Sequence, residues 1–372
     1  MKASMKIGSI WGIPIGLHVS WFLIFGLLVW SLAAGYFPGE YPQLSPLSHV
    51  IIAVITTILF FGSVLAHELG HSLIALRNKI PVKGITLFIF GGVAQIAHEP
   101  RSPGAEFRVA IAGPLTSLGL AGLFGGLWLL DSQLPFLAAP SLYLMRINLI
   151  LALFNMIPGF PLDGGRVFHA LVWKVTRNPQ RATQVAAVSG QLVAFGFIAY
   201  GIFTVFTGQL LDGLWLGFIG WFLQNAAASA SFQSNVQERL RGATVAQAMS
   251  RECAEVPGLV TLNQLVQEHV LSYGQHCFFV TDFAGQTRGM LTLQDITRVP
   301  QARWRYITAE QAMTPFNRLV QMTPETDLLF ALQTMEERHL AQVPVVESNR
   351  PVGLLSRENV LRYLRLRTDL GL

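Results

Sequence analysis

Over the first 230 positions, apolar residues come in long unbroken runs rather than at the spacing of a surface helix. Six runs are long enough to cross a bilayer, near His18–Gly35, Val50–Leu76, Arg108–Leu130, Leu142–Ile157, Ala182–Phe206 and Leu211–Ala230. Between the second and third, Ile80–Gln95 (IPVKGITLFIFGGVAQ) is rich in β-branched and aromatic residues, with Gly91-Gly92 as a turn or bend signal. It is too short and too β-like for another span. A strand at membrane depth is tolerated only where protein buries it or where it lines a wet cavity. The segment therefore reads either as an interfacial loop packed on the helices or as a strand edge free to pair with an extended peptide. From Asn235 onward the pattern is that of a soluble protein, and it repeats. Ala248-Met249 recurs as Ala312-Met313, and Gly289–Asp295 recurs as Gly353–Asn359 at the same offset. Each unit predicts helix, strand, helix, two strands, helix. Helical patterning lies at Leu262–Ser272 and Asp327–Arg338, and β-like patterning at Phe278–Thr281 and Val343–Val346.

Composition sharpens this layout. The chain of 372 residues is 52% hydrophobic and 13% charged, against about 25% charged for a soluble domain. The expected fold class is a polytopic α-helical membrane protein, six transmembrane helices with a short membrane-associated β segment, followed by an α+β tandem module. The expected domains are 1–230 in the membrane, a linker at 231–243, a first repeat at 244–300 and a second at 301–372. The net charge of +5 is modest. Basic residues sit in short loops, so they report topology, and no nucleic-acid partner is expected. Gly35–His49 and Asp131–Ser141 carry no Lys or Arg, whereas Arg77, Lys79, Lys83, Arg101 and Arg108 follow the second span and Lys174, Arg177 and Arg181 the fourth. The alternation places both termini in the cytoplasm, with the cell membrane as the expected location. Lys2, Lys6 and Ser31-Leu32-Ala33 give the first span some look of a signal peptide, but the later spans need it as an oriented partner, so it is expected to be retained. Cys253 and Cys277 cannot form a disulfide scaffold and are read as reduced cytoplasmic thiols.

The chemistry sits in His67-Glu68-Leu69-Gly70-His71, inside the second span. Ionisable residues at membrane depth are costly, so such a cluster is a functional site by default. Residues four apart share a helix face, so His67 and His71 can direct two imidazoles at one zinc ion, with Glu68 placed to take a proton from the attacking water. The fourth span ends in Phe154–Arg166 (FNMIPGFPLDGGR), whose prolines and glycines break the helix. Asp163 there is the natural third ligand, while an N-cap role for a helix starting at Gly164 is geometrically plausible and compatible with it. His18, His49 and His98 lie at span ends and are expected to be interfacial. His169 is expected to face a neighbouring helix and Arg146 to snorkel to headgroups. Arg166 either braces the Asp163 loop or sits at the interface.

On these residues the chain resembles the site-2 protease family of intramembrane zinc metalloproteases. The match comprises HELGH at His67–His71, FGGVA at Phe90–Ala94 and FNMIPGFPLDGGR at Phe154–Arg166. The resemblance implies zinc on His67, His71 and Asp163, Glu68 as general base, and Asn155 holding substrate backbone near the metal. It also implies that Gly91 and Gly92 belong to the family's membrane-embedded β segment beside the substrate. Residues Thr244–Leu366 resemble a tandem pair of CBS domains, which implies an adenine nucleotide as a further ligand and pairing of two copies into a homodimer. In that family's pattern Gly-x-x-Thr/Ser-x-x-Asp, Thr292 and Asp295 fit and would hold ribose; Asn359 departs from it in the second repeat. The other reading of such a tail is a dimerisation module alone.

The expected function is thus a zinc endopeptidase cutting a membrane-protein substrate in its transmembrane helix, near the cytoplasmic side. The alternative is a transporter or channel with a regulatory CBS tail, since broken helices suit transporters too. Against it, a transport path has no need of Glu68 between two histidines on one helical face.

Overall fold

The chain opens with a hairpin that the hydrophobic pattern does not announce. Strands β1 (Met5–Ile10) and β2 (Ile13–Leu17) pair antiparallel, and Trp11 and Gly12 turn the corner with φ of 50° and 79°. That left-handed turn matches the twist of a two-residue hairpin. The computed structural model describes residues 4–370, apart from Phe90, Ala97, Glu99, 131–133, Glu252, His339 and Asn349. By its internal packing the chain divides into two units, Met1–Ser234 and Asn235–Leu372.

In the first unit the apolar runs are helices. After β2 come α1 (Ser20–Ser31), α2 (Phe37–Glu40) and the long α3 (Pro46–Arg77). Helix α3 starts where the local chemistry places it: Ser45 Oγ accepts the Ser48 amide at 3.2 Å and Pro46 stands at the first helical position. Then follow β3 (Val82–Phe88), β4 (Gly91–Ile96), α4 (Pro103–Leu130), α5 (Pro135–Asn155), α6 (Asp163–Thr176), α7 (Pro179–Phe206) and α8 (Leu210–Leu240). Among the described residues five helical segments are long and apolar enough to span a membrane: Ser20–Glu40, Pro46–Arg77, Pro103–Leu130, Pro135–Asn155 and Pro179–Phe206. The sixth apolar run lies on α8. Trp30, Leu130 and Phe206 are 70%, 82% and 84% exposed, an outer surface suited to lipid and not to water.

The structure adds to the sequence expectation in three places. The β segment is not short but half of a four-stranded sheet of order β1-β2-β3-β4, in which β2 runs parallel to β3 and β4 forms an edge. Alternation in β1 is uninformative because all six of its residues are exposed. Residues 231–240, read as linker, continue α8 as helix. Between the fourth and fifth spans lies α6, 14 residues long and too short to cross a membrane.

The second unit follows the predicted repeat. Helix α9 (Val245–Ala248), β5 (Ala254–Pro257), α10 (Leu262–Leu265), β6 (Cys277–Thr281), β7 (Thr287–Thr292) and α11 (Leu293–Thr297) form the first round. The second comprises α12 (Ala309–Ala312), β8 (Thr314–Pro315), α13 (Leu328–Glu337), β9 (Gln342–Glu347), β10 (Arg350–Ser356) and α14 (Arg357–Asp369). The rounds interlock: β8 joins the sheet β5-β6-β7-β8, and Ser250 exchanges two backbone hydrogen bonds of 2.8 Å with Leu354 on β10. Leu240, Val245, Leu328, Val343 and Leu355 are fully buried in one core, and Val256, Leu262, Phe278 and Leu291 in another. Burying each such side chain contributes roughly 1.5–3 kcal/mol.

Candidate metal centre

Helix geometry brings His67 and His71 onto one face of α3, and the broken end of α5 returns Asp163 to them as the first residue of α6. Leu162 caps α6 without a side-chain hydrogen bond, and Asp163 follows in the first turn. Its carboxylate turns to the histidines: Asp163 Oδ2 lies 3.1 Å from His67 Nε2 and 3.2 Å from His71 Nε2, and the two Nε2 atoms are 3.2 Å apart. Three donors on a tetrahedral zinc at about 2.1 Å would lie about 3.4 Å from one another. The observed triangle fits that ion.

The far side of each ring agrees. His71 Nδ1 faces the Val109 carbonyl at 2.7 Å, which can only accept, so this nitrogen carries the proton and Nε2 presents its lone pair. His67 Nδ1 lies 2.9 Å from Ser117 Oγ. Two imidazole nitrogens and a carboxylate converging in a buried site are a donor set that could hold a metal cation. Both partners sit on α4, where Val109, Gly113 and Ser117 form one buried stripe at helical spacing. Gly113 is the cradle: a Cβ there would lie 2.6 Å from His67 Nε2 and nearer still to His71 Nε2. Gly164 and Gly165 do the same work for the returning loop, because a Cβ on either would strike the backbone of Met156 or Gly159.

Glu68 is held from the β sheet. The Ala94 amide donates to Glu68 Oε2 at 3.1 Å, and Gly92 packs on the Glu68 side chain, where a Cβ would come within 2.7 Å of Cγ. Ala94 pairs Ile85 in the β3–β4 ladder. Its amide points to Glu68, so the free edge of β4 faces the site, and alternation puts the Gly92 amide on that edge too. Asn155 is half-buried at the end of α5. Phe90, the first residue of the FGGVA match, lies outside the described residues.

Of the residues set aside, His169 does face a neighbouring helix, meeting the Pro179 carbonyl at 3.2 Å and Thr183 Oγ1 at 3.1 Å, and it also meets Glu106. His49, at the start of α3, is turned inward, 6% exposed, with Nε2 3.0 Å from the Tyr41 carbonyl. Arg146, expected to snorkel, donates to Tyr36 Oη at 3.1 Å beside Glu40. Sequence reasoning missed Val109, Gly113, Ser117 and Ala94. The only signal was a Gly and a Ser breaking an apolar run.

In the second unit Thr292 and Asp295 form a capping box. Asp295 Oδ2 accepts the Thr292 hydroxyl at 2.7 Å and its amide at 3.0 Å, while Thr292 Oγ1 accepts the Asp295 amide at 3.3 Å. Asn359 does the same in the second repeat, accepting the Ser356 amide at 3.2 Å and the Ser356 hydroxyl. The pattern Thr/Ser-x-x-Asp is thus explained locally by helix capping.

A helical membrane unit with a His-Glu-x-x-His pair, a third carboxylate and a buried cradle defines a zinc metalloprotease. Comparison with known proteins agrees. The description "Peptidase family M50" matches residues 55–136 and 133–199, and "CBS domain" matches 309–366. A Synechocystis protein named as a zinc metalloprotease, sll0528, is 35% identical over 371 residues, covering 98% of this chain and 96% of the relative. Rip3 of Mycobacterium tuberculosis, named likewise, is 32% identical over 368 residues, with 98% and 93% covered. The solved site-2 protease of Methanocaldococcus jannaschii is 28% identical with a TM-score of 0.42, covering 61% of this chain and 94% of that one. The chain belongs to the site-2 protease family of membrane zinc metalloproteases, in a form that carries a C-terminal CBS module. The transporter alternative loses its ground here.

Proposed function

We propose that the chain cuts a peptide bond within, or at the edge of, the transmembrane helix of a membrane-bound substrate, near the cytoplasmic side. His67, His71 and Asp163 hold the zinc. When bound, the ion polarises the scissile carbonyl and makes water nucleophilic at neutral pH. Glu68, aimed by the Ala94 amide, takes the proton from the attacking water and passes it to the leaving amine. A helical substrate hides its carbonyls in hydrogen bonds and must unwind first. The edge of β4 at Gly91 and Gly92 would receive the unwound backbone by strand addition, and Asn155 would help to hold that backbone near the metal. Both termini face the cytoplasm in the cell membrane. The CBS module pairs two copies and holds an adenine nucleotide beside Thr292 and Asp295. The observation that carries the protease reading is the closed triangle of donors with Glu68 pinned beside it.

The test is Glu68→Gln in vesicles that also hold a single-span reporter with a Pro-Gly pair near the cytoplasmic end of its helix. The amide is isosteric but cannot take the proton. Zinc should be retained while cleavage falls by about a hundredfold to ten-thousandfold. Cleavage at the wild-type rate would refute the mechanism.

A further inference from the structure

Outside the metal triangle, the described residues of the first unit include one more buried ionisable pair. His169 Nδ1 lies 2.8 Å from Glu106 Oε2, with the two residues 7% and 9% exposed. The ring's other nitrogen meets the Pro179 carbonyl and Thr183 Oγ1 on α7, and its face lies 5.7 Å from the ring of Phe160 in the loop before α6. A buried pair of this kind is expensive to desolvate, and well-packed apolar side chains would often hold two helices together as well. Its place in the fold gives it a use. Glu106 lies three residues before Val109 on α4, on the same stripe as Val109, Gly113 and Ser117, which orient and cradle the two histidines. His169 lies six residues after Asp163 on α6. One face of α4 therefore references both ligand-bearing helices: α3 through Val109 and Ser117, and α6 through Glu106.

The lever is short and sensitive. Side-chain atoms ride about 5–6 Å from a helix axis, so turning α6 by about 10° would move the Asp163 carboxylate by about 1 Å. A displacement of that size breaks a metal ligand. We propose that Glu106 and His169 are a positioning pair that sets the rotation of α6 against α4 and so delivers the Asp163 carboxylate to the two histidines. The inference rests on the reading of His67, His71 and Asp163 as the zinc ligands.

The test uses the full chain in detergent. Zinc affinity is read by competition with a chelator, and ligand geometry by the visible spectrum of the Co2+-loaded protein. Glu106→Ala should weaken zinc binding by about tenfold or more, the scale seen when a ligand loses its outer support, and should shift the cobalt bands. Glu106→Gln keeps an acceptor oxygen for His169 Nδ1 and should stay close to wild type in both readouts. Ile52→Ala, a core truncation elsewhere on α3, should lower thermal stability and leave affinity and spectrum unchanged. Should Glu106→Ala fail to fold, His169→Gln carries the same expectation. Wild-type affinity and cobalt spectrum in Glu106→Ala would overturn the proposal, whatever its stability. Equal losses in the Ala and Gln variants would overturn it too, because the hydrogen bond would then not be what positions α6. Asp163→Asn separates the levels: if it also keeps zinc, the ligand assignment itself fails, whereas loss of zinc there with none in Glu106→Ala sinks only the positioning pair.

Discussion

Substituting Gly113 by Ala sets two effects of opposite sign against each other. In a helix interior Ala is favoured over Gly by about 1 kcal/mol, so on propensity alone α4 should be stabilised. The added methyl, however, would lie 2.6 Å from His67 Nε2 and nearer still to His71 Nε2. A carbon and a nitrogen in contact need about 3.5 Å, so at least one imidazole must move by about 1 Å. Without metal each ring can tilt within its Nδ1 hydrogen bond, a strain that the gain in helix propensity offsets. With metal it cannot, because Nε2 must meet the ion while Nδ1 keeps Val109 or Ser117. The loss should match or exceed that of removing an outer-shell partner, about a hundredfold in zinc affinity, or about 2.7 kcal/mol. The signature is a metal-free protein no less stable than wild type that binds zinc far more weakly. Thermal unfolding with and without a chelator reads the first quantity, and chelator competition the second. Unchanged zinc affinity in Gly113→Ala would show that the ligand atoms do not sit where the structure puts them.

Other expectations follow from single contacts. Ser117→Ala removes the partner of His67 Nδ1 and should cost about tenfold to a hundredfold in zinc affinity; equilibrium competition would expose a variant that binds as wild type. In the CBS module Asp295→Asn should keep the capping box, as Asn359 does in the second repeat, and so keep thermal stability while losing the carboxylate. If that carboxylate holds ribose, AMP binding by calorimetry should fall about tenfold to a hundredfold, the loss of a charge-assisted hydrogen bond; unchanged binding would leave Asp295 as a cap alone. The register Ala254↔Phe278 sets Cys253 beside Cys277. The Cys277 thiol donates to the Cys253 sulfur, which holds the Cys253 thiol below its ordinary range and, with burial, pushes Cys277 up. As pH rises, Cys253 is therefore the first to ionise, and at pH 8 iodoacetamide should label it ahead of Cys277; peptide mapping that found Cys277 labelled first would reverse the assignment.

How far this was legible in the sequence differs from residue to residue. His67, Glu68 and His71 announce themselves because helix spacing is fixed and charge at membrane depth is costly. Asp163 was legible as a ligand or a cap; the fold makes Leu162 the cap and turns the Asp163 carboxylate to the two histidines, which supports the ligand reading. Val109 acts through its carbonyl, which leaves no mark on the sequence, and Gly113 through the lack of a side chain, which shows only as one glycine among several in an apolar run. The β1–β2 hairpin was invisible because its outer strand buries no face. The repeat at 64-residue-scale spacing of motifs, with its interlocked strands, came through because like offsets recur, although Thr292-x-x-Asp295 proved to serve helix capping as well as any ligand.

The proposed chemistry depends on His67, His71 and Asp163 together holding one zinc ion beside Glu68. Elemental analysis of the purified full chain, after dialysis against a weak chelator, tests it most directly in four forms: wild type, Glu68→Gln, His67→Ala and Asp163→Asn. About one zinc per chain is expected in the first two and little or none in the last two, because a three-residue site does not survive loss of a ligand. Full zinc occupancy in His67→Ala or Asp163→Asn would contradict it.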